Sequence, residues 1–168
     1  MGTLEITVRQ YKPDDRSRIE KICCDTGFLG NPIDNVFHDR DLFSYLQTNS
    51  YLGLEPESAF VAEVDGKIVG YLLGCTKKST ELAQKLVLLK TAAQMLWNMA
   101  TGKYDDNPRT KEYVIWSITK GLSQRARQPR DSAHFHRNIE SEYRGRGIGS
   151  MLFREFTKKL RAEGITRL

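Results

Sequence analysis

Between Ile139 and Phe153 the chain reads I-E-S-E-Y-R-G-R-G-I-G-S-M-L-F, with Gly145, Gly147 and Gly149 each separated by one residue before an apolar helical pattern begins. Glycines this dense oppose both strand and helix, so a loop is forced between two regular elements. Ahead of it, A-H-F-H-R-N-I (133–139) alternates and reads as a strand. Behind it, Met151, Leu152, Phe153, Phe156 and Leu160 mark an amphipathic helix over 150–161, closed by Gly164. The first turn of such a helix carries N–H groups without intrahelical partners and about half a positive charge, and anions settle there. Glycines take away the Cβ atoms that would hold a diphosphate off those N–H groups. Arg144 and Arg146 are expected to add mobile positive charge at the rim. The stretch is therefore expected to hold a diphosphate with main chain.

Two familiar phosphate loops do not fit. The spacing is G-x-G-x-G near the end of the chain, and no acidic residue follows about 20 positions later to hold a ribose, so the dinucleotide fingerprint fails. No G-K-[ST] follows the glycines, so the P-loop fails as well. The basic charge sits beside this loop. Residues 120–168 hold 12 Lys and Arg against 5 Asp and Glu, whereas the first 119 hold 14 against 16. A basic half suits a polyphosphate small molecule, nucleic acid or an anionic surface. Nucleic acid is disfavoured, because no zinc finger, basic zipper or aromatic RNP-like pattern accompanies the charge.

The 168 residues suffice for one domain. No run nears the roughly 20 apolar residues of a membrane span, and M-G-T-L-E-I-T-V lacks a secretion signal, so the expected location is cytoplasmic, with no membrane partner. Cys23, Cys24 and Cys75 form no C-x-x-C pair; they read as small buried hydrophobes, and no metal site is expected.

Elsewhere, Leu4 to Val8 reads as a strand, and K-P-D-D (12–15) opens a helix of about ten residues through Ile19, Ile22 and Cys23. Leu42 to Leu46 suggests a shorter helix ending before Tyr51. Ala59–Val64 and Lys67–Cys75 are strands joined by Asp65-Gly66, a strong hairpin signal. Gly70 and Gly74 inside the second strand fit a bulge or a close approach. Glu81 to Ala100 is helical, with Leu82, Leu86, Leu89, Ala93, Leu96 and Trp97 on one face that is expected to be core. Gly102–Pro108 breaks it, Glu112–Arg127 resumes, and Q-P-R-D (128–131) breaks again. This pair of helices reads either as an accessory hairpin over a cleft or as core. Ile165 to Leu168 looks like the opening of a further strand.

Taken with the loop, the sequence Y-R-G-R-G-I-G-S-M-L resembles the acyl-CoA loop of the GNAT N-acetyltransferases, whose pattern [R/Q]-x-x-G-x-[G/A] matches Arg144 to Gly149. D-G-K-I-V-G (65–70) sits where the hairpin of that family stands. More narrowly, Y-L-G-L-E-P-E-S-A-F-V-A-E (51–63) with A-H-F-H (133–136) and the helical insertion at about 80–130 resembles GNAT-like domains related to the C-terminal domain of O-GlcNAc hydrolases. The resemblance implies an α/β (α+β) domain over 1–168, a mixed and mostly antiparallel sheet flanked by helices. It also implies acetyl-CoA as cosubstrate and an amine acceptor.

In such a protein Arg144, Gly145, Arg146, Gly147, Ile148, Gly149 and Ser150 would hold the pyrophosphate. Asn138, Ile139 and Glu140 would offer backbone to the pantetheine arm, as β-augmentation. Direct attack of an amine on the thioester needs a base. His134 and His136 share a strand face and suit that role; Glu63 is a further candidate. The family fold continues with a fifth strand, a helix carrying the tyrosine that often protonates the thiolate, and two more strands. Those C-terminal parts read as missing here, so a fragment, or a sheet completed by homodimer formation or strand exchange at the edge of 133–139, is expected. The alternative is a CoA-binding module without the chemistry.

Overall fold

In the computed structural model, which describes residues 5–76, 80–121 and 132–167, β1 (Ile6–Gln10), β2 (Ala59–Val64), β3 (Lys67–Cys75) and β4 (His134–Ile139) form one antiparallel sheet in the order β1-β2-β3-β4. The Asp65-Gly66 turn joins β2 and β3 with both central residues at positive φ, 51° and 75°, as a two-residue hairpin of primed type requires. The first strand lies two residues later than the Leu4–Val8 pattern suggests, with Leu4 outside the described residues. Its register decides this: Ile6 faces Val64 and Gln10 faces Phe60, so the whole of Ile6–Gln10 is paired.

One face of the sheet is covered by α1 (Arg16–Asp25) and α2 (Arg40–Leu54), which bury Ile19, Ile22, Cys23, Phe43 and Leu52 against Val61, Tyr71 and Leu73. The three cysteines are buried, and burial pushes the thiols of Cys23 and Cys24 up to about 12 and about 11. The second helix is longer than Leu42–Leu46 and runs past Tyr51. Its interruptions are internally satisfied: Thr48 Oγ1 donates to the Ser44 carbonyl at 2.8 Å, and Ser44 Oγ to that of Asp41 at 3.1 Å, so these hydroxyls can be buried inside a helix.

Two further helices, α3 (Thr80–Ala100) and α4 (Pro108–Trp116), follow the sheet hairpin. On α3 the expected core face is the wrong one. Val87, Thr91, Met95 and Asn98 are buried, while Leu82, Leu86, Leu89, Leu96 and Trp97 are exposed. On the face turned toward α2, Asn98 has a polar network to join, while the buried Thr91 hydroxyl meets no partner among the described residues. Asn98 Nδ2 donates to Asp39 at 3.0 Å and to Tyr104 at 2.9 Å, and Lys103 and Tyr104 also donate to Asp39. The fourth helix starts before Glu112, because Asn107 caps it by accepting from the Thr110 N–H at 2.9 Å and Pro108 occupies its first turn. A π-helical stretch, Ser117–Gly121, follows. The expected continuation over 122–127 and the break at 128–131 lie outside the described residues.

The other sheet face is covered by α5 (Ile148–Ala162), whose Ile148, Leu152, Phe156 and Leu160 recur every fourth residue and are buried against Ala62, Val69 and Leu72. Each such side chain stabilises the fold by roughly 1.5–3 kcal/mol. Gly74 lets α5 approach: a Cβ there would stand 2.1 Å from the Phe156 ring. Around Gly70 the β2–β3 register slips, leaving Val69 as the extra residue of a bulge. Residues 165–167 do not form a strand. One hydrogen bond, Ala133 N–H to the Arg167 carbonyl at 2.9 Å, lays them beside the start of β4. Among the described residues no helix is long and apolar enough to cross a membrane.

Candidate active site

At the C-terminal end of β4 the chain turns through Ser141–Tyr143, enters the glycine loop and begins α5. Gly145 and Gly147 stand at φ 76° and 79°, on either side of an Arg146 of ordinary handedness. Gly147 is the cap of α5 and its carbonyl accepts from the N–H groups of Ser150 and Met151. The N–H groups of Gly145, Arg146, Gly147, Ile148 and Gly149 donate to no main-chain carbonyl among the described residues. A Cβ built on Gly145 or Gly147 meets nothing within 4 Å, so the side-chain side of both residues is open. Such a run of unpartnered donors at a helix start has the geometry that suits an anion.

The arginines divide the work. Arg144 is not a mobile rim charge, contrary to expectation: its Nε donates to the Ile139 carbonyl at 3.0 Å and its Nη2 to the Gly30 carbonyl at 3.2 Å. It stitches the loop between α1 and α2 to the glycine loop. Arg146 lies over the Tyr143 ring at 5.8 Å and keeps its guanidinium toward solvent. Sequence reasoning missed Arg137, whose Nη1 donates to the Gly149 carbonyl at 2.9 Å and ties β4 to the first turn of α5.

Next to the loop, β4 is the outer strand of the sheet. Glu140 N–H donates inward to the Val69 carbonyl, and Ala133 N–H and the Ile139 carbonyl take partners on the outward side. By the two-residue period, the backbone groups of Phe135, Arg137 and Ile139 face out and those of His136 and Asn138 face β3. Of the three residues expected to receive an extended ligand, only Ile139 therefore presents an open N–H. Asn138 donates from Nδ2 to the Tyr71 hydroxyl at 3.1 Å, and the Glu140 carboxylate is held by Arg18 at 2.6 Å.

The two histidines do share a face of β4, turned toward α1, α2 and α3. Gln84 Nε2 lies 3.0 Å from His134 Nε2 and donates to it in the tautomer protonated at Nδ1, and the Tyr51 ring meets His134 edge-on at 5.7 Å. Burial lowers the pKa of His134, a shift opposed by Glu55. His136 packs edge-on against Tyr71 at 5.6 Å, and its Nδ1 is enclosed without a partner. Burial pushes its pKa down to about 4, so the ring is neutral at pH 7. Glu63 is not brought to them. Register places it two strands and four residues away, about 16 Å from His136. Its carboxylate accepts from Arg9 at 2.6 and 2.9 Å, in a cluster that Arg9 shares with Asp15. Only the folded chain reveals that pairing, since Arg9 is 54 residues distant.

Comparison with solved structures places this arrangement among known folds. SsHAT aligns with 95% of this chain and 79% of its own, at 27% identity and a TM-score of 0.64. A Drosophila melanogaster polyamine N-acetyltransferase that forms N-acetylagmatine aligns over 96% of this chain and 73% of its own, at 16% identity and a TM-score of 0.52. A third structure, of an acetyltransferase, gives 95%, 76%, 16% and 0.50 in the same measures. No protein-family model and no curated protein sequence matches the chain.

Proposed function

We propose that the chain, which shares its fold with SsHAT and a polyamine N-acetyltransferase, is a GNAT-type N-acetyltransferase moving the acetyl group of acetyl-CoA to a primary amine by direct attack. The observation that carries this reading is the run of N–H donors from Gly145 to Gly149 that meet no main-chain acceptor among the described residues, two of its glycines at positive φ, at the start of α5. These donors suit the pyrophosphate of CoA. Beside them the outward backbone of Arg137 and Ile139 suits the amides of the pantetheine arm, which would dock as an added strand. That course directs the thioester along β4 toward the level of His136 and His134.

The amine nitrogen attacks the thioester carbonyl, the carbon–sulfur bond breaks, and the sulfur leaves as CoA thiolate. Before attack the ammonium must lose a proton. We assign that transfer to His136 or His134, directly or through water. Both are neutral near pH 7 and able to accept, though the depressed basicity of His136 favours a relay over full protonation of the ring. Polyamine and agmatine, named for one structural neighbour, are amines, and they head the acceptor panel.

Calorimetry of CoA against the wild type and Gly147→Asp tests the cradle. The variant places a carboxylate at the phosphate position in a backbone conformation that disfavours it, and CoA affinity is expected to fall at least about 100-fold. Equal affinity removes the loop from the site. Thiol release across the amine panel then separates enzyme from binder: CoA binding with background release of thiol leaves a CoA-binding module.

A further inference from the structure

The outward face of α3 carries a second message, independent of the CoA site. Leu82, Leu86, Leu89, Ala93, Leu96 and Ala100 follow one another at intervals of 4, 3, 4, 3 and 4 residues. The spacing averages 3.6 residues, so all six side chains fall on one stripe of the helix, as two helices packed along their length require. All six are exposed, and the four leucines and the adjoining Trp97 are 48–68% exposed. A monomer seldom shows an apolar strip this continuous.

Over the 21-residue helix the seam runs about 27 Å and presents on the order of 600 Å². With its flanks it approaches the roughly 800 Å² per partner of a stable pair. The helix also complements itself. Laid antiparallel about a two-fold axis midway between Leu89 and Ala93, it sets Leu86 against Leu96, Leu89 against Ala93 and Leu82 against Ala100 of the copy. The bulky Trp97 then lies opposite the small Ala83. Laid parallel, Lys85 would face Lys90 of the copy, like charge against like. In the antiparallel arrangement Lys85 faces Met99 instead. The two copies of Lys90 would approach each other, but each ammonium already sits over its own Tyr45 ring at 5.1 Å.

We infer that α3 is a homodimer interface, pairing antiparallel with α3 of a second copy of this chain through Leu82, Leu86, Leu89, Ala93 and Leu96. The two-fold is isologous and closes on itself. It leaves the open edge of β4 free for the ligand proposed above.

Sedimentation equilibrium on the full chain tests this with three variants. Leu86→Glu and Leu96→Lys alter solvent-exposed positions, so far-UV circular dichroism and the melting temperature are expected to stay at wild-type values. Each single variant is expected to weaken the dimer at least about 30-fold, the loss carried by a central interface residue. The double variant Leu86→Glu/Leu96→Lys is expected to regain dimerisation, because the antiparallel register sets the new glutamate against the new lysine. A monomeric wild type overturns the inference, as does a dimer indifferent to the single substitutions. Failure of the double variant to recover overturns the antiparallel pairing.

Discussion

His136 shows how a residue's environment changes its chemistry. In the sequence it is one of two histidines suited to titrate near neutrality. Folded against Tyr71, with Nδ1 enclosed, it is held neutral down to about pH 4. The sign of the linked stability follows from that. An unfolded histidine takes up a proton near pH 6.5 while the folded one resists, so the contribution is present above 6.5 and is lost as pH falls toward 4. The loss is on the order of 3 kcal/mol at its limit. Urea midpoints of wild type and His136→Gln are expected to converge across that window as the pH is lowered, and parallel curves would show that the ring is not held neutral by burial. If His136 also serves the reaction, His136→Gln is expected to cut turnover of the best amine by 10²–10⁴ with CoA affinity unchanged. An unaltered rate returns the residue to packing. Glu63 teaches the opposite lesson, since a carboxylate suited to be a base is committed to Arg9 by a partner no local pattern announces.

At the scale of elements, the close approach of α5 to the sheet needs one tight fit between a glycine and a ring. Gly74→Ala would push a methyl into Phe156, and overpacking of this kind costs about 1–3 kcal/mol. Phe156→Ala opens a cavity at a fully buried position and is expected to cost about 3–5 kcal/mol. In the double variant Gly74→Ala/Phe156→Ala the methyl finds part of the vacated space. Its loss is expected to be smaller than the sum of the single losses in thermal or urea unfolding, and strict additivity would show that the two sites do not share this contact. The hairpin β2–β3 was legible because its signals are local: alternation, then Asp-Gly. The face of α3 was not, because an apolar stripe says only that something covers it. The same stripe serves a core and a seam, and here the side of the helix turned toward α2 is taken by Val87, Thr91, Met95 and Asn98.

For the molecule as a whole, the basic C-terminal half is used locally. Arg137, Arg144 and Arg146 gather around one loop although only two of them flank it in sequence, and Arg144 binds that loop to Gly30, 114 residues away. A ligand with several phosphate charges is then expected to lose affinity with rising salt, as screening shortens the reach of the field. CoA titrations at low and high ionic strength check this, and a salt-independent affinity would detach the charge from the site. Duplex DNA offered as competitor is expected to leave CoA binding unchanged. Binding of DNA that CoA does not displace would instead give the basic half a separate role.

By itself the amino-acid order determined what depends on neighbours within a few positions. The glycine loop, its helix, the primed turn and three of the four strands follow from backbone freedom, periodicity and turn chemistry that act over one or two turns of chain. Only tertiary structure decided which way each element faces and which charges meet. The burial of His136, the capture of Glu63 by Arg9, the stitch from Arg144 to Gly30 and the outward turn of the α3 leucines all rest on contacts between residues far apart in sequence. Such contacts are selected by the free energy of the whole packed chain, and no short segment encodes them.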